Sequence, residues 1–434
     1  MGSNVAQRSG LTAEQKYHLL LEVSQKIRGT LDLSEVLQNL IDAVRTMIPY
    51  DAAGIFVLNE GSFPLKGAFG SHLIAGMALR GFPERPKEED PMLRSGKGIV
   101  GHVIRTGEPV IVADVRQDPR YVEGRAGTLS EIAVPVTVGG KVIGAVNLEG
   151  NSAEAFTPDD AELLQFIANA AAISIEKAVL HQQLLEKKRM ARQLEIAREV
   201  QAGLLPERPP VLPGYDISAL NLPNSEIGGD YFDYIDLPGG RLGVVIADVS
   251  GKGVPAALIM ATFRAALRMQ LLHEAGLSLV MQSVNRLLCD SIGSSSFVTA
   301  VFVLLDPMTG GLAYSNCGHN PPLLLRADGS TSTLKTGGMV LGFEGDTRFE
   351  WGAETLYSGD MLVLYTDGVV ESIDAQGVEL GQEGLEFILR QAWGESAKET
   401  IESVVQATRT QPHPQHYADD FTLVIVRREE RTAT

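Results

Sequence analysis

The feature that most constrains this chain is a long run of helix-forming residues in its middle. From about residue 169 to residue 205 there is no glycine before Gly203 and no proline before Pro206. Because glycine and proline most often end helices, this run predicts one continuous helix. The proline-rich segment PERPPVLPGY (206–215) then ends it. The helix divides a chain of 434 residues into two parts, each long enough to bury a core of its own.

The apolar residues of this run indicate that the helix has a partner. A heptad seam is formed by Ile173, Leu180, Leu184, Ala191 and Leu194. Lys177, Lys187 and Arg198 interrupt the seam, so a coiled coil built on it is short. The pattern favours a parallel coiled coil between two subunits and hence a homodimer. The alternative is a helix that lies on its own domain.

Charge and composition narrow the classes of partner. Acidic residues outnumber basic residues by 54 to 37, which gives a net charge of −17 and disfavours nucleic acid and anionic membranes as partners. Cys289 and Cys317 lack metal-type spacing and fit a reducing compartment. The first ten residues have no apolar signal-peptide core, and the longest apolar run, 163–175, is shorter than the roughly 20 residues of a membrane span. We therefore expect a cytoplasmic protein.

The N-terminal part predicts an antiparallel sheet with helices. A helix is expected from Ser34 to Ile48 with Asp32 as its cap, and the long helix begins near Pro158 with Thr157 as its cap. Strand-like runs lie between them at 52–58, 108–114, 131–138 and 141–150. The pair Gly139-Gly140 between the last two runs predicts a tight hairpin.

This order of elements resembles a GAF sensory domain over residues 17–177. The residues that carry the resemblance are GKGIVGHVIRTGEPVIVADVRQDPRY (96–121) and VGGKVIGAVNLEG (138–150). The resemblance implies a domain that receives a small-molecule or protein signal, whose identity stays open. Asn147 matches one position of the cyclic-nucleotide-binding members, but Leu148 stands where those members carry lysine, so a cyclic nucleotide is not favoured.

The C-terminal part contains a hairpin with an acidic residue at each end. Residues 230 and 248 are equally distant from Gly239 in the turn Pro238-Gly239-Gly240. Regular pairing about that turn places Phe232 opposite Ile246 and Asp230 opposite Asp248. Two facing carboxylates repel each other and raise each other's pKa unless a cation lies between them.

Acidic residues stand in equivalent positions at the ends of two further apolar runs. Asp367 follows the apolar run MLVLY, and Asp419 and Asp420 precede the apolar run FTLVIV. One aspartate at the end of a strand is commonly a turn residue. Four such residues without neighbouring Lys or Arg indicate a site for divalent cations, and ligands that are all oxygen atoms suit Mg²⁺ or Mn²⁺.

Five motifs in order resemble the SpoIIE/RsbU branch of the PPM metal-dependent serine/threonine phosphatases, over residues 206–428. They are GGDYFDY, ADVSGKGVPAAL, SNCGHNPPLLL, LYTDGVVES and ADDFTLVIV. The resemblance implies an α-β-β-α sandwich of two antiparallel sheets. With the GAF-like part, the fold class is α+β: a GAF domain at 17–177, a helical linker at 178–205 and a phosphatase domain at 206–428.

The resemblance also implies roles for the acidic residues. Asp248 bridges two divalent cations, Mn²⁺ or Mg²⁺, and the backbone carbonyl of Val249 adds a ligand. Asp230 holds one cation, and Asp367 and Asp419 hold the other. Asp230 and Asp248 are thus the catalytic residues. Asp420 fits better as the start of a strand.

The same resemblance implies the reaction and the partner. The enzyme hydrolyses a phosphoserine or phosphothreonine without a covalent phosphoenzyme. Its substrate is a phosphorylated STAS-domain anti-sigma-factor antagonist, and the GAF domain regulates it.

Three further residues of the motifs are assigned by their surroundings. Lys252 is expected to be a solvated loop lysine rather than a phosphate contact, and His319 to hold its loop rather than to donate a proton. Asp233 lies either next to the cations or exposed on the opposite face of its strand.

Two alternative functions remain. GGDYF is close to the GGDEF signature of diguanylate cyclases, but residues 186–206 contain no aspartate to serve as that enzyme's second metal ligand. The other alternative is a catalytically inactive scaffold that binds partners, which the presence of all four acidic residues disfavours.

Overall fold

The computed structural model describes residues 21, 25, 29–58, 74–83, 98–224, 227–273, 276–293, 295–373, 378–408 and 419–429. The chain forms two compact units that divide between Met190 and Ala191. Residues 17–20 of the predicted N-terminal domain, and Gly96 and Lys97 of its motif, lie outside the described residues. The predicted domain boundaries at residues 177 and 205 stay predictions.

The N-terminal unit contains one antiparallel sheet of five strands. They are β1 (Ala52–Leu58), β2 (Ile74–Arg80), β3 (Val110–Val112), β4 (Ser130–Val138) and β5 (Lys141–Gly150). The described helices that begin in this unit include α1 (Leu33–Met47), α2 (Gly98–Thr106) and α3 (Pro158–Ala202). The order across the sheet is β2-β1-β5-β4-β3.

Local sequence explains where these elements begin and end. Asp32 caps α1 by accepting a hydrogen bond from the backbone N–H of Glu35 at 3.0 Å, as predicted. Gly139 and Gly140 turn between β4 and β5 with φ of 57° and 82°, values that glycine adopts without strain. Strand β3 is shorter than predicted, because the Asp114 side chain accepts from the N–H of Arg116 and starts a 3₁₀ turn.

The alternation of side chains along the strands places an apolar core on each face of the sheet. Ile55 and Val57 of β1 pack with α1 and the first half of α3 on one face. Phe56 and Leu58 pack with α2 on the other face. The unit is therefore a sheet covered by helices on both sides.

Helix α3 is the predicted long helix, and it is 45 residues long. It begins after Thr157, whose side chain and that of Asp160 cap each other's backbone N–H groups, and it ends at Ala202 before Gly203. Within the described residues, α3 is also the one helix apolar and long enough by composition to cross a membrane, but 44% of the apolar window is buried inside the protein. This is weak evidence, because buried core helices have the same composition.

The C-terminal unit contains two sheets. The strands of the first sheet are β7 (Tyr231–Leu237), β8 (Arg241–Val249), β9 (Val298–Leu305), β10 (Gly311–Cys317), β13 (Gly337–Gly338) and β14 (Gly352–Thr355). Their order across the sheet is β13-β10-β9-β8-β7, and β14 pairs with β10. The strands of the second sheet are β6 (Tyr215–Leu222), β11 (Leu323–Leu325), β12 (Thr331–Thr333), β15 (Met361–Tyr365) and β16 (Phe421–Arg428). Their order across the sheet is β12-β11-β15-β16-β6. The remaining helices are α4 (Val254–His273), α5 (Leu277–Ser291), α6 (Asp367–Val370), α7 (Gly381–Gln391) and α8 (Ala397–Thr408).

Three apolar cores make this unit a four-layer sandwich. One core lies between the two sheets and includes Val244 of β8 and Val424 of β16. A second lies between the first sheet and helices α4 and α5, and a third lies between the second sheet and helices α7 and α8. The predicted α-β-β-α architecture is confirmed.

The predicted hairpin register is also confirmed. Phe232 pairs with Ile246 and Tyr234 with Val244 across β7 and β8. Asp230 lies one residue before β7, and Asp248 is the second-last residue of β8. Both carboxylates therefore lie at the same end of the first sheet.

Candidate active site

Asp230 is a buried carboxylate at the end of the first sheet that is held by the second sheet. Asp230 is 3% exposed, although an aspartate side chain in water is charged at neutral pH. Its Oδ2 accepts hydrogen bonds from Oγ1 of Thr366, at 2.9 Å, and of Thr422, at 2.5 Å. Thr366 directly follows β15 and Thr422 lies in β16, so Asp230 is oriented by residues of two neighbouring strands in the opposite sheet.

Asp248 and Val249 lie at the end of β8, beside Gly229 of the loop that precedes β7. A Cβ atom on Gly229 would lie 2.9 Å from the carbonyl oxygen of Val249 and 3.5 Å from Oδ1 of Asp248. The lack of a side chain at Gly229 thus leaves these two oxygen atoms accessible to a small ligand from the same side. A methyl group at that position would fill the space between them.

Asp367 and Asp419 come from the second sheet. Asp367 is the first residue of α6 and follows β15 after Thr366, and Asp419 lies two residues before the start of β16. Oδ2 of Asp419 forms an ion pair with Nζ of Lys252 at 3.0 Å. Lys252 lies in the loop after β8 and its side chain is 58% exposed, as expected of a solvated loop lysine, and it also reaches across to an acidic residue of the opposite sheet.

The carboxylates lie close enough to perturb one another. Burial, followed by repulsion from Asp367 and Asp419, raises the pKa of Asp248 to about 7. Burial, followed by repulsion from Asp248, raises the pKa of Asp230. The pKa of Asp367 is raised in the same way, by burial and then by Asp419. The four predicted acidic residues therefore form one electrostatic cluster, whose negative charge a bound cation would stabilise.

The donor set of the cluster suits a hard divalent cation. The carboxylates and the Val249 carbonyl offer oxygen atoms alone, which Mg²⁺ and Mn²⁺ prefer. Within the part of the chain that the structure describes, however, no three Asp, Glu, His or Cys side chains already form a cage that could hold an ion. The residues fit a metal site in chemistry and in location, and their side chains must draw together to form one.

Asp420 has a role that sequence analysis underestimated. Its Oδ1 accepts from the backbone N–H of Asn224 at 2.8 Å, and its Oδ2 accepts from that of Gly229 at 2.6 Å. A Cβ atom on Gly228 would lie 2.5 Å from Oδ2 of Asp420. Asp420 thus holds the loop that presents Asp230, and the lack of a side chain at Gly228 lets the loop approach it.

The structure also places the other residues of the motifs. His319 is buried, its ring contacts Oγ1 of Thr299 and the carbonyl oxygen of Tyr365, and burial lowers its pKa to about 4. The predicted role of His319 in holding its loop is confirmed. Asp233 is 1% exposed and accepts two hydrogen bonds from Arg268, at 2.7 and 2.8 Å, so of its two alternatives the exposed position is wrong.

A contact from the end of α3 was not foreseen. Nε2 of Gln201 donates to the carbonyl oxygen of Gly228 at 2.7 Å, and Oε1 of Gln201 accepts from its N–H at 3.2 Å. The last turn of α3 therefore binds the loop that carries Asp230. Gln201 lies in the segment EIAREVQAGLLP (195–206), but nothing in the sequence of this segment shows which side chain makes the contact.

Comparison with known proteins decides the family. A family model described as Stage II sporulation protein E (SpoIIE) matches residues 238–429, and a GAF domain model matches residues 30–176. Phosphoserine phosphatase RsbU of Bacillus subtilis (strain 168) is 31% identical over 241 residues, which cover 55% of this chain and 70% of RsbU. The chain belongs to the SpoIIE family. In this SpoIIE-family protein, the matched phosphatase region contains Asp248, Val249, Asp367 and Asp419.

Other relatives match a smaller share of their own length. Phosphoserine phosphatase RsbP of Bacillus subtilis (strain 168) is 28% identical over 184 residues, 42% of this SpoIIE-family chain and 45% of RsbP. Protein IcfG of Synechocystis sp. is 30% identical over 207 residues, 42% of the chain and 33% of IcfG. A crystal structure of the RsbU and RsbW domains of a Mycobacterium tuberculosis protein shows 33% identity and a TM-score of 0.44, covering 51% of the chain and 63% of that structure.

Proposed function

We propose that this protein is a protein serine/threonine phosphatase that depends on two divalent cations and is regulated through its GAF domain. The observation that carries the proposal is the cluster of four aspartates that the ends of two sheets bring together. Burial, followed by mutual repulsion, raises the pKa of three of them, Asp230, Asp248 and Asp367. An inactive scaffold has no need for buried carboxylates that cost stability, so the cluster favours an enzyme.

We assign the ligands as the motifs imply. Asp248 would bridge the two cations and Val249 would contribute its carbonyl oxygen, while Asp230 would hold one cation and Asp367 and Asp419 would hold the other. When bound, the cations supply the Lewis acidity and positive charge that hydrolysis of a phosphate ester requires.

The surrounding residues position these ligands. The hydroxyl groups of Thr366 and Thr422 both donate hydrogen bonds to Oδ2 of Asp230, so Oδ1 of this residue is the atom left for a cation. Asp420 and Gln201 fix the preceding loop from two sides. His319 is neutral at pH 7 because burial lowers its pKa to about 4, so it serves structure rather than proton donation.

The proposed substrate is the phosphoserine or phosphothreonine of a STAS-domain anti-sigma-factor antagonist. Support comes from the resemblance to RsbU and RsbP, which are both named phosphoserine phosphatases. The setting is the cytoplasm. Incubation with phosphorylated STAS proteins of the same genome, with and without Mn²⁺, tests the assignment. Phosphate release from none of them, under conditions in which a generic phosphoserine peptide is hydrolysed, excludes this substrate class.

The proposed regulation uses α3 and a second copy of the chain. Side chains of the heptad seam are exposed on a single chain: Ile173 by 57%, Leu180 by 47% and Leu184 by 49%. Pairing with the same seam of a second subunit would bury them. A signal at the GAF domain that repacks this pair would reach Gln201 and the loop before Asp230 through α3.

The first test removes the bridging charge. Asp248→Asn keeps the size of the side chain but loses a negative charge, so we expect phosphatase activity to fall by about 100-fold or more, because replacing a residue that only hydrogen-bonds a metal ligand already costs roughly 10–100-fold. EDTA should have the same effect, reversed by added Mn²⁺. Activity on a phosphoserine peptide, bound metal and the melting temperature are measured together.

The matched control is Asp290→Asn, which changes an exposed aspartate of α5 and should leave activity unchanged. If the Asp248→Asn protein hydrolyses the peptide at the wild-type rate, the assignment of the metal site is wrong. If it loses activity because it no longer folds, the melting temperature shows it.

A further inference from the structure

A cavity separate from the carboxylate cluster lies in the C-terminal unit at the edge of the first sheet formed by β7. Its walls are the connector that follows α3 (residues 203–210), strand β7 and helix α4, and its volume is about 290 Å³. The residues that bear charge on its wall are Arg208, Asp233, Asp236, Arg264 and Arg268. None of the predicted metal ligands lines it.

Some charged side chains of this cavity have a partner of opposite charge and others have none among the described residues. Arg268 is neutralised by the buried Asp233, which it contacts through two hydrogen bonds. Asp236 is exposed to solvent. Arg208 and Arg264 have no ion pair or side-chain hydrogen bond with any described residue. Two guanidinium groups therefore share one cavity without a carboxylate of their own, in a chain whose net charge is −17.

Two buried donor atoms add to this imbalance. Nε of Arg264 and the phenolic oxygen of Tyr234, another wall residue, are buried and have no hydrogen-bond partner within the described residues. A buried polar atom without a partner destabilises the fold, so such atoms point to a ligand that supplies acceptors.

We propose that this cavity binds a small phosphate-bearing anion. Guanidinium groups present planar pairs of N–H donors that match phosphate oxygens, and a phenol adds an O–H donor. Arg208 approaches from the connector and Arg264 from α4, so one anion bridges the two elements. Its binding fixes the connector, through which α3 enters the phosphatase fold, against α4.

The anion is either free inorganic phosphate or a phosphoryl group on a small metabolite. Titration calorimetry on the full chain compares inorganic phosphate with free phosphoserine, at constant ionic strength and with EDTA present to keep the predicted metal site out of the measurement. Saturable binding of phosphate alone identifies the free ion, and stronger binding of phosphoserine identifies a carried phosphoryl group.

Variants locate the site. Arg208→Gln and Arg264→Gln should each weaken binding about 10-fold or more, which corresponds to the loss of one charge-assisted hydrogen bond. Arg286→Gln, on the exposed face of α5, is the matched control and should bind as the wild type does. Because Arg208 is exposed, its replacement should leave the melting temperature without ligand unchanged.

Two results overturn the proposal. One is that neither anion binds the wild-type protein saturably. The other is that Arg208→Gln and Arg264→Gln bind as tightly as the Arg286→Gln control. The assay measures binding without metal, so its outcome is independent of whether the protein is a phosphatase.

Discussion

Two glutamates of the N-terminal unit face each other inside the protein. Glu131 of β4 pairs directly with Glu149 of β5, and the residues are 2% and 1% exposed. Glu131 accepts a hydrogen bond from Nδ2 of Asn147 at 3.1 Å, and Glu149 forms an ion pair with Arg125 at 3.5 Å. Burial, followed by repulsion from Glu149, raises the pKa of Glu131 to about 8. Glu131 therefore holds a proton at neutral pH in the folded protein.

This raised pKa predicts how stability depends on pH. The unfolded chain loses the proton of Glu131 near pH 4.3, while the folded chain keeps it to about pH 8, so the N-terminal unit loses stability as pH rises through that window. Glu131→Gln removes this loss, and the variant should gain at most roughly 4 kcal/mol over the wild type by pH 8.

Chemical denaturation of the N-terminal unit within the full chain, at intervals between pH 5 and pH 8, measures the effect. Glu108→Gln alters an exposed glutamate and serves as the control. A stability difference between Glu131→Gln and wild type that stays constant over this range would contradict the raised pKa.

At the scale of elements, α3 combines two environments in one helix. Its first part is buried in the N-terminal core by residues such as Leu164, Ile167 and Ile175, whereas the seam at Leu180 and Leu184 is exposed. Its last turn carries Gln201, which binds Gly228. A rotation of the second half of α3 relative to the seam is thus expected to change the position of Gln201.

Insertions after Glu186 test this coupling. At 100° per residue, three or four extra residues turn the following helix by about 60° backwards or 40° forwards, whereas seven turn it by only about 20°. We expect the three- and four-residue insertions to abolish the response of activity to the N-terminal unit and to weaken dimerisation. The seven-residue insertion is the matched control and should preserve both.

Specific activity and light scattering are measured on all four proteins. Equal activity and a monomeric state in every one of them would show that α3 is a passive tether.

At the scale of the whole molecule, each unit has the parts of an independent domain. The C-terminal unit closes three cores of its own between its two sheets and four of its helices, α4, α5, α7 and α8. The strand that opens this unit, β6, pairs with its last strand, β16. This closure favours folding without the N-terminal unit.

We predict that the fragment 191–434 folds cooperatively and remains monomeric, because it lacks the seam residues Ile173, Leu180 and Leu184. Its basal activity should differ from that of the full chain if the N-terminal unit regulates the site. Thermal unfolding, light scattering and phosphoserine hydrolysis are compared for fragment and full chain. An unfolded fragment contradicts the division into two units, and equal activity contradicts regulation.

The sequence by itself determined the features that depend on neighbouring residues. The cap at Asp32, the Gly139-Gly140 turn and the pairing of Phe232 with Ile246 follow from side chains within a few turns of helix or across one short loop. The positions of Asp367 and Asp419 at strand ends were also predictable, because apolar runs delimit strands.

Only the tertiary structure decided which groups meet across the two sheets. Thr366 and Thr422 bond to Asp230 from 136 and 192 residues away, and Asp420 holds Gly229 from 191 residues away. Arg268 reaches Asp233 from the next helix. These contacts depend on the order of strands in each sheet and on how the sheets face each other. That order is fixed by burying all three cores at once, which no local segment of sequence specifies.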